Sequence, residues 1–171
     1  MYNVLQGNIF VDANFRPVFG DFGLSHIRYT IDRTMSSTME AGSVRYMAPE
    51  RLHSNDDDTG GSPKPTLSSD IWAFVMLMLE IFTGDKPYAK DPDTIIPFII
   101  TVEQKLPERP GKHITERGLT DAVWELMKRC WNFTHPVKRP TASYLLQQLE
   151  TLSQETQMTA CLERTVRRPF L

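Results

Sequence analysis

The sequence predicts a mainly α fold that begins with a small β-hairpin. Three observations carry this expectation. Two short apolar runs, Ile9-Phe10-Val11 and Pro17-Val18-Phe19, flank Asp12-Ala13-Asn14-Phe15-Arg16, where Asp and Asn favour a turn. Beyond residue 66, four stretches have the spacing of helices rather than strands. One of them, Ile71 to Thr83, is apolar on nearly all sides, which places it inside the molecule instead of on its surface.

The connecting segments follow from composition. Residues 24–47 carry Thr30, Thr34, Ser36, Ser37 and Thr38 with little periodicity and read as a loop. The run from His53 to Pro65 is rich in Asp, Gly, Pro and Ser, and residues 53–66 read as a flexible insertion. Ser68-Ser69-Asp70 can cap the central helix, predicted over 67–83, and Gly84 with Pro87 stops it. A second helix is predicted over 93–104, with Pro97 in its first turns. A third runs over 120–131, with Ala122, Leu126 and Met127 as its apolar residues. A fourth covers 141–152, with Leu145, Leu146 and Leu149 on one face. These three should pack around the central helix.

At 171 residues, with 40% hydrophobic and 23% charged side chains, the chain suffices for one domain with a real core. Its net charge of −2 supplies no general basic field for nucleic acid or anionic lipid, so neither nucleic acid nor membrane is expected as a partner. Arg164, Arg167 and Arg168 read as a solvated basic end. Cys130 and Cys161 cannot build a disulfide framework, and reduced thiols are expected, with Cys130 in the core. Residues 1–20 lack the pattern of a signal peptide, and the run Ile71 to Leu79 is too short to span a bilayer. A soluble cytoplasmic or nuclear location follows as an expectation. His26, His53, His113 and His135 lack metal-ligand spacing, and Asp56-Asp57-Asp58 fails the calcium-loop pattern.

Several short motifs stand in a telling order. Asp21-Phe22-Gly23 precedes Ala48-Pro49-Glu50, and Asn8 lies upstream of both. Ser69-Asp70-Ile71-Trp72-Ala73-Phe74, Thr83-Gly84-Asp85-Lys86-Pro87-Tyr88, Cys130-Trp131 and Lys138-Arg139-Pro140 follow. In these motifs the chain resembles the C-terminal lobe of a eukaryotic protein kinase, from residue 1 to about 152. Residues 153–171 form a tail outside the resemblance. The approach Gly42-Ser43-Val44-Arg45-Tyr46-Met47, with the Cys-Trp pair, is similar to tyrosine-kinase-like serine/threonine kinases.

The resemblance implies roles. Asn8 and Asp21 would bind Mg²⁺ through hard oxygen donors. Glu50 would pair with Arg139 and pin the activation segment to the helical body. Asp70 would accept hydrogen bonds from the catalytic-loop backbone. The same resemblance exposes departures. Asn3 occupies the position of the catalytic Asp, and an amide cannot accept the substrate hydroxyl proton as a carboxylate does. Tyr2 replaces the Arg that receives an activation-loop phosphate, and Leu5 replaces the Lys that steadies the transferring phosphoryl group. No G-x-G-x-x-G occurs in the chain, so no cofactor-binding residue for the nucleotide is assigned. ATP and Mg²⁺ are the cofactors of the family; ATP would be held only if a complete nucleotide lobe were supplied.

Two function classes stay open: a segment of a serine/threonine kinase, inactive as this chain, and a non-catalytic pseudokinase module. The partner is a protein substrate in the first case and a binding protein in the second. Thr30, Thr34, Ser36, Ser37, Thr38 and Ser43 are either phosphoacceptors or plain polar loop residues.

Overall fold

A computed structural model describes residues 9–19, 43–52 and 65–166. Asn3, Asn8 and Asp21 lie outside the described residues, as do Tyr2, Leu5 and most of the predicted loop and insertion.

The hairpin forms as expected. Strands β1 (Ile9–Val11) and β2 (Pro17–Phe19) pair antiparallel, with Ile9 opposite Phe19, Phe10 opposite Val18 and Val11 opposite Pro17. The turn is built on Asp12, whose Oδ1 accepts the amide hydrogens of Asn14 (2.8 Å) and Arg16 (2.9 Å). Those bonds stabilise the ionised carboxylate, and the Asp12 pKa is lowered accordingly. Pairing of Phe10 with Val18 puts two apolar side chains on one face, and both are exposed.

The helical body is assembled around one buried helix. After a 3₁₀ turn at Ser43–Tyr46 comes the one-turn helix α1 (Pro49–Leu52). The 3₁₀ turn corrects the expectation of irregular loop through residue 47. Helix α2 (Leu67–Thr83) matches the predicted span. Its N-cap residue is Thr66, and of the predicted Ser68–Asp70 group Ser69 completes the cap. The Ser69 amide donates to Thr66 Oγ1 (3.0 Å) while the Thr66 amide donates to Ser69 Oγ (2.9 Å), a reciprocal capping box. Thr66 thus belongs to the helix start instead of the insertion. Gly84 ends α2 in the left-handed region (φ 81°), with its amide on the Glu80 carbonyl (2.7 Å), a conformation that costs a glycine nothing.

The remaining helices depart from prediction at their ends. Helix α3 (Ile96–Thr101) follows a 3₁₀ turn at Asp93–Ile95 and is shorter than 93–104: Val102 caps it with its amide on the Phe98 carbonyl (2.9 Å), and the chain reaches φ 48° at Gln104. Pro97 lies in its first turn, where its missing amide hydrogen leaves no helical bond unmade. Helix α4 (Asp121–Cys130) is capped by Thr120 and buries Val123, Trp124, Leu126 and Met127, whereas Ala122 faces solvent. Helix α5 (Ala142–Val166) runs well past residue 152 into the predicted tail. Leu145, Leu149 and Leu152 form its inward stripe at i, i+4, i+7, which turns Leu146 outward.

Trp72, Val75, Met76 and Leu77 of α2 are essentially inaccessible, and Trp124 and Trp131 meet edge to face at 5.6 Å. Cys130 is fully buried, its Sγ donating to the Leu126 carbonyl, and burial pushes its pKa up to about 11. The neutral thiol is thereby favoured in the folded state. Its stabilising contribution is complete below the unfolded thiol pKa near 9 and is lost as pH rises toward 11. Chemical denaturation of a Cys130→Val variant should show a shallower stability loss across pH 9 to 11 than the parent chain. An identical slope would remove Cys130 as the source.

Candidate functional site

Residues 43–50 carry the chemistry-bearing cluster, and three separate ties fix them to the helical body. The first joins Glu50 on α1 to Arg139, which are 89 positions apart in sequence. Arg139 Nη1 donates to Glu50 Oε1 (2.6 Å) and Nη2 donates to Oε2 (2.8 Å), a two-pronged guanidinium–carboxylate pair. The other Arg139 hydrogens are also used. Nη1 reaches the Ser68 carbonyl (2.9 Å), while Nε (3.1 Å) and Nη2 (2.9 Å) reach the Asn132 carbonyl. All five donors of the fork are occupied. The guanidinium also lies 5.0 Å from the Trp72 ring centre, and the Arg139 side chain is 0% exposed. Burying this charge is tolerable because every hydrogen has an acceptor and one acceptor is anionic.

The second tie is Arg45, which is 1% exposed. Nε donates to Asp93 Oδ1 (2.6 Å), Nη1 to the carbonyls of Pro87 (2.8 Å) and Tyr88 (2.6 Å), and Nη2 to the Asp91 carbonyl (2.6 Å). Tyr88 sits at φ 54°, an unusual conformation for a side-chain-bearing residue. The Arg45 bonds to the carbonyls of Pro87 and Tyr88, together with the Tyr88 hydroxyl on the Lys105 carbonyl (2.8 Å), hold that kink.

In the third tie, the Tyr46 hydroxyl donates to Glu80 Oε2 (2.5 Å) in the wall of α2. Burial and the neighbouring Glu80 carboxylate both push the Tyr46 pKa well above the ordinary phenol value. The phenol therefore stays protonated at every physiological pH and remains a donor. Glu80 is buried to 7% exposure, and this bond is what satisfies it.

Segment 43–50 is thus fastened through Arg45, Tyr46 and Glu50 to elements that come later in the chain. The profile of the protein tyrosine and serine/threonine kinase family matches residues 3–149. The chain belongs to this family.

In the kinase resemblance Glu50 would close an activation segment, and Arg139, at the junction before the last helix, would pin it to the helical body. Among curated relatives, the chain is 32% identical over 162 residues to the LRR receptor-like serine/threonine-protein kinase RGI2 of Arabidopsis thaliana, covering 90% of this chain and 13% of the relative. It is 30% identical over 158 residues to the tyrosine-protein kinase transforming protein Abl of Abelson murine leukemia virus, covering 92% and 19%. It is 29% identical over 165 residues to tyrosine-protein kinase STYK1 of Mus musculus, covering 94% and 34%. The chain therefore spans about a third or less of the length of these relatives.

Of the predicted site residues, Glu50 and Arg139 are brought together, and Asp70 is half-buried in the first turn of α2. Asn3, Asn8 and Asp21 lie outside the described residues. The carboxylate of Asp21 and amide oxygen of Asn8 are hard donors of the kind Mg²⁺ takes. Arg45, Tyr46 and Glu80 escaped sequence reasoning. Glu80 did leave a signal: a carboxylate inside an otherwise apolar buried helix demands a partner. Among the described residues, no helix is long and apolar enough to cross a membrane.

Proposed function

We propose that this chain is the helical lobe of a serine/threonine protein kinase, and that the chain by itself transfers no phosphate. The family activity is ATP-dependent phosphorylation of proteins. The assignment to Ser/Thr rests on the Gly42-Ser43 approach to Ala48-Pro49-Glu50. The observation that carries inactivity is Asn3, five positions before Asn8, where the resemblance places the catalytic carboxylate. A positioned base contributes ~10²–10⁴-fold to rate, and the chain also lacks the Gly-rich clamp that holds nucleotide in line. When bound, Mg²⁺ would neutralise phosphoryl charge during transfer. What the described residues supply is a fixed platform: Glu50, Arg45 and Tyr46 hold the activation-segment end where a protein substrate would lie. The proposed setting is cytoplasmic or nuclear.

A second reading, a pseudokinase module that binds a protein partner, is favoured by the loss of three catalytic-loop functions at once, through Tyr2, Asn3 and Leu5. Radiolabelled ATP assays on the purified chain, with Asp21→Ala as control, test the inactive reading. The expected result is no incorporation above the control, and Asn3→Asp alone should not change it. Incorporation that disappears in Asp21→Ala would overturn the proposal. Fusing a Gly-rich nucleotide lobe upstream separates the two classes. The kinase-segment reading expects transfer to return with Asn3→Asp and Leu5→Lys, and the pseudokinase reading expects none.

A further inference from the structure

An open cleft of about 520 Å³ lies where the end of α4 meets the start of α5, with Arg139 between it and Glu50. Among the described residues its lining includes Arg129, Asn132, Lys138, Arg139, Thr141 and Tyr144, and no carboxylate. Arg139 is neutralised by Glu50, so among the described residues the uncompensated charge of the cleft comes from Arg129 and Lys138. Arg129 is held in place by Tyr144: its guanidinium stands 5.2 Å from the ring centre, and Nη1 donates to the phenol oxygen (3.0 Å). The Tyr144 hydroxyl accepts that bond, which leaves its own hydrogen free to donate outward. Thr141, at the positive end of the α5 dipole, stands on the same wall.

We propose that this cleft binds a phosphate group, with Arg129 as the bidentate ligand, Lys138 as the second cation and the Tyr144 hydroxyl as a neutral donor. A guanidinium fork matches two phosphate oxygens, and a stacked, hydrogen-bonded arginine needs little further ordering to bind them. The free ammonium of Lys138 supplies a point charge for the third oxygen. Nothing in this assignment depends on phosphotransfer by the chain, so it stands whether or not the inactive reading holds. The phosphate can be borne by a phosphorylated peptide or be free in solution, and the chemistry recognised is the same.

The test is calorimetric titration of the full chain with inorganic phosphate, with a short peptide carrying one phosphoserine, and with the unphosphorylated peptide. Amide NMR spectra of the same samples locate the response. Saturable binding of phosphate or phosphopeptide is expected, with shifts centred on Arg129, Thr141 and Tyr144 and none from the unphosphorylated peptide. A tighter phosphopeptide arm would identify a protein-borne source, and equal affinities a free one. Charge-assisted hydrogen bonds of this kind each change affinity by about 10-fold or more. Arg129→Gln with Lys138→Gln should abolish binding with only a small shift of the denaturation midpoint, since both side chains are exposed and only the Arg129–Tyr144 contact is lost. Arg129→Lys should weaken it by about 10-fold, because the charge stays and the fork is lost. Lys90→Gln, outside the cleft and paired with Glu108, should bind as the parent does. Non-saturating titrations, an adventitious ion only, would overturn the assignment. So would equal weakening by Lys90→Gln and the double variant.

Discussion

Arg139→Ala is expected to lower folding stability by about 3–5 kcal/mol, the cost of breaking a buried ion pair by removing one partner. The loss has three parts that add in the same direction. Glu50 keeps a carboxylate held against the helical body, the Ser68 and Asn132 carbonyls lose their donors, and Trp72 loses the cation beside its ring. Arg139→Lys should recover only part of the loss, since one ammonium with three hydrogens cannot serve two carboxylate oxygens and two carbonyls at once. Glu50→Gln should cost less than Arg139→Ala, because Glu50 is 26% exposed and its amide replacement still accepts one bond. Urea denaturation of the three variants measures the order. Equal stability of Arg139→Ala and the parent chain would mean that the pair holds nothing together.

Arg45→Ala should also cost several kcal/mol, at about 1–3 kcal/mol for each buried carbonyl left without a donor, with a different local signature. Its removal strands the Pro87, Tyr88 and Asp91 carbonyls. Asp93 is 34% exposed and can turn to water, so the carbonyls dominate the cost. The kink at Tyr88, itself worth about 1–3 kcal/mol of stored strain, then loses its clamp. Amide hydrogen exchange should accelerate in residues 85–95 and 43–48, while the core of α2 around Trp72 and Met76 keeps its protection. Uniform acceleration across all of these would show that Arg45 acts through global stability alone, and unchanged exchange would show that the kink holds without it.

Much of the fold was legible because it depends on local pattern. The span of α2 could be read from its apolar run and its Gly84 stop, and the hairpin from two apolar triplets around an Asp/Asn turn. Helix ends were legible only where a residue forces them. At α3 the helix ends with Val102 as its cap, without any Gly or Pro there, and at α5 nothing in the pattern stops the helix at 152. The cap of α2 was placed only in part because Thr66 and Ser69 satisfy each other, a reciprocity that composition around Ser68–Asp70 obscures.

The sequence by itself determined the family and the Glu50–Arg139 pair, since short motifs in fixed order carry that information. Tertiary structure alone decided what Arg45, Tyr46 and Glu80 do. Arg45 bonds mainly to backbone carbonyls 42 to 46 residues away, and every residue type offers the same carbonyl, so no side-chain pattern could announce its partners. Glu80 showed that it needed a donor, but which one depended on where the Ser43–Tyr46 turn packs against α2. Arg129, Lys138 and Tyr144 likewise converge only because α4 and α5 meet at an angle set by the buried leucines and tryptophans beneath them.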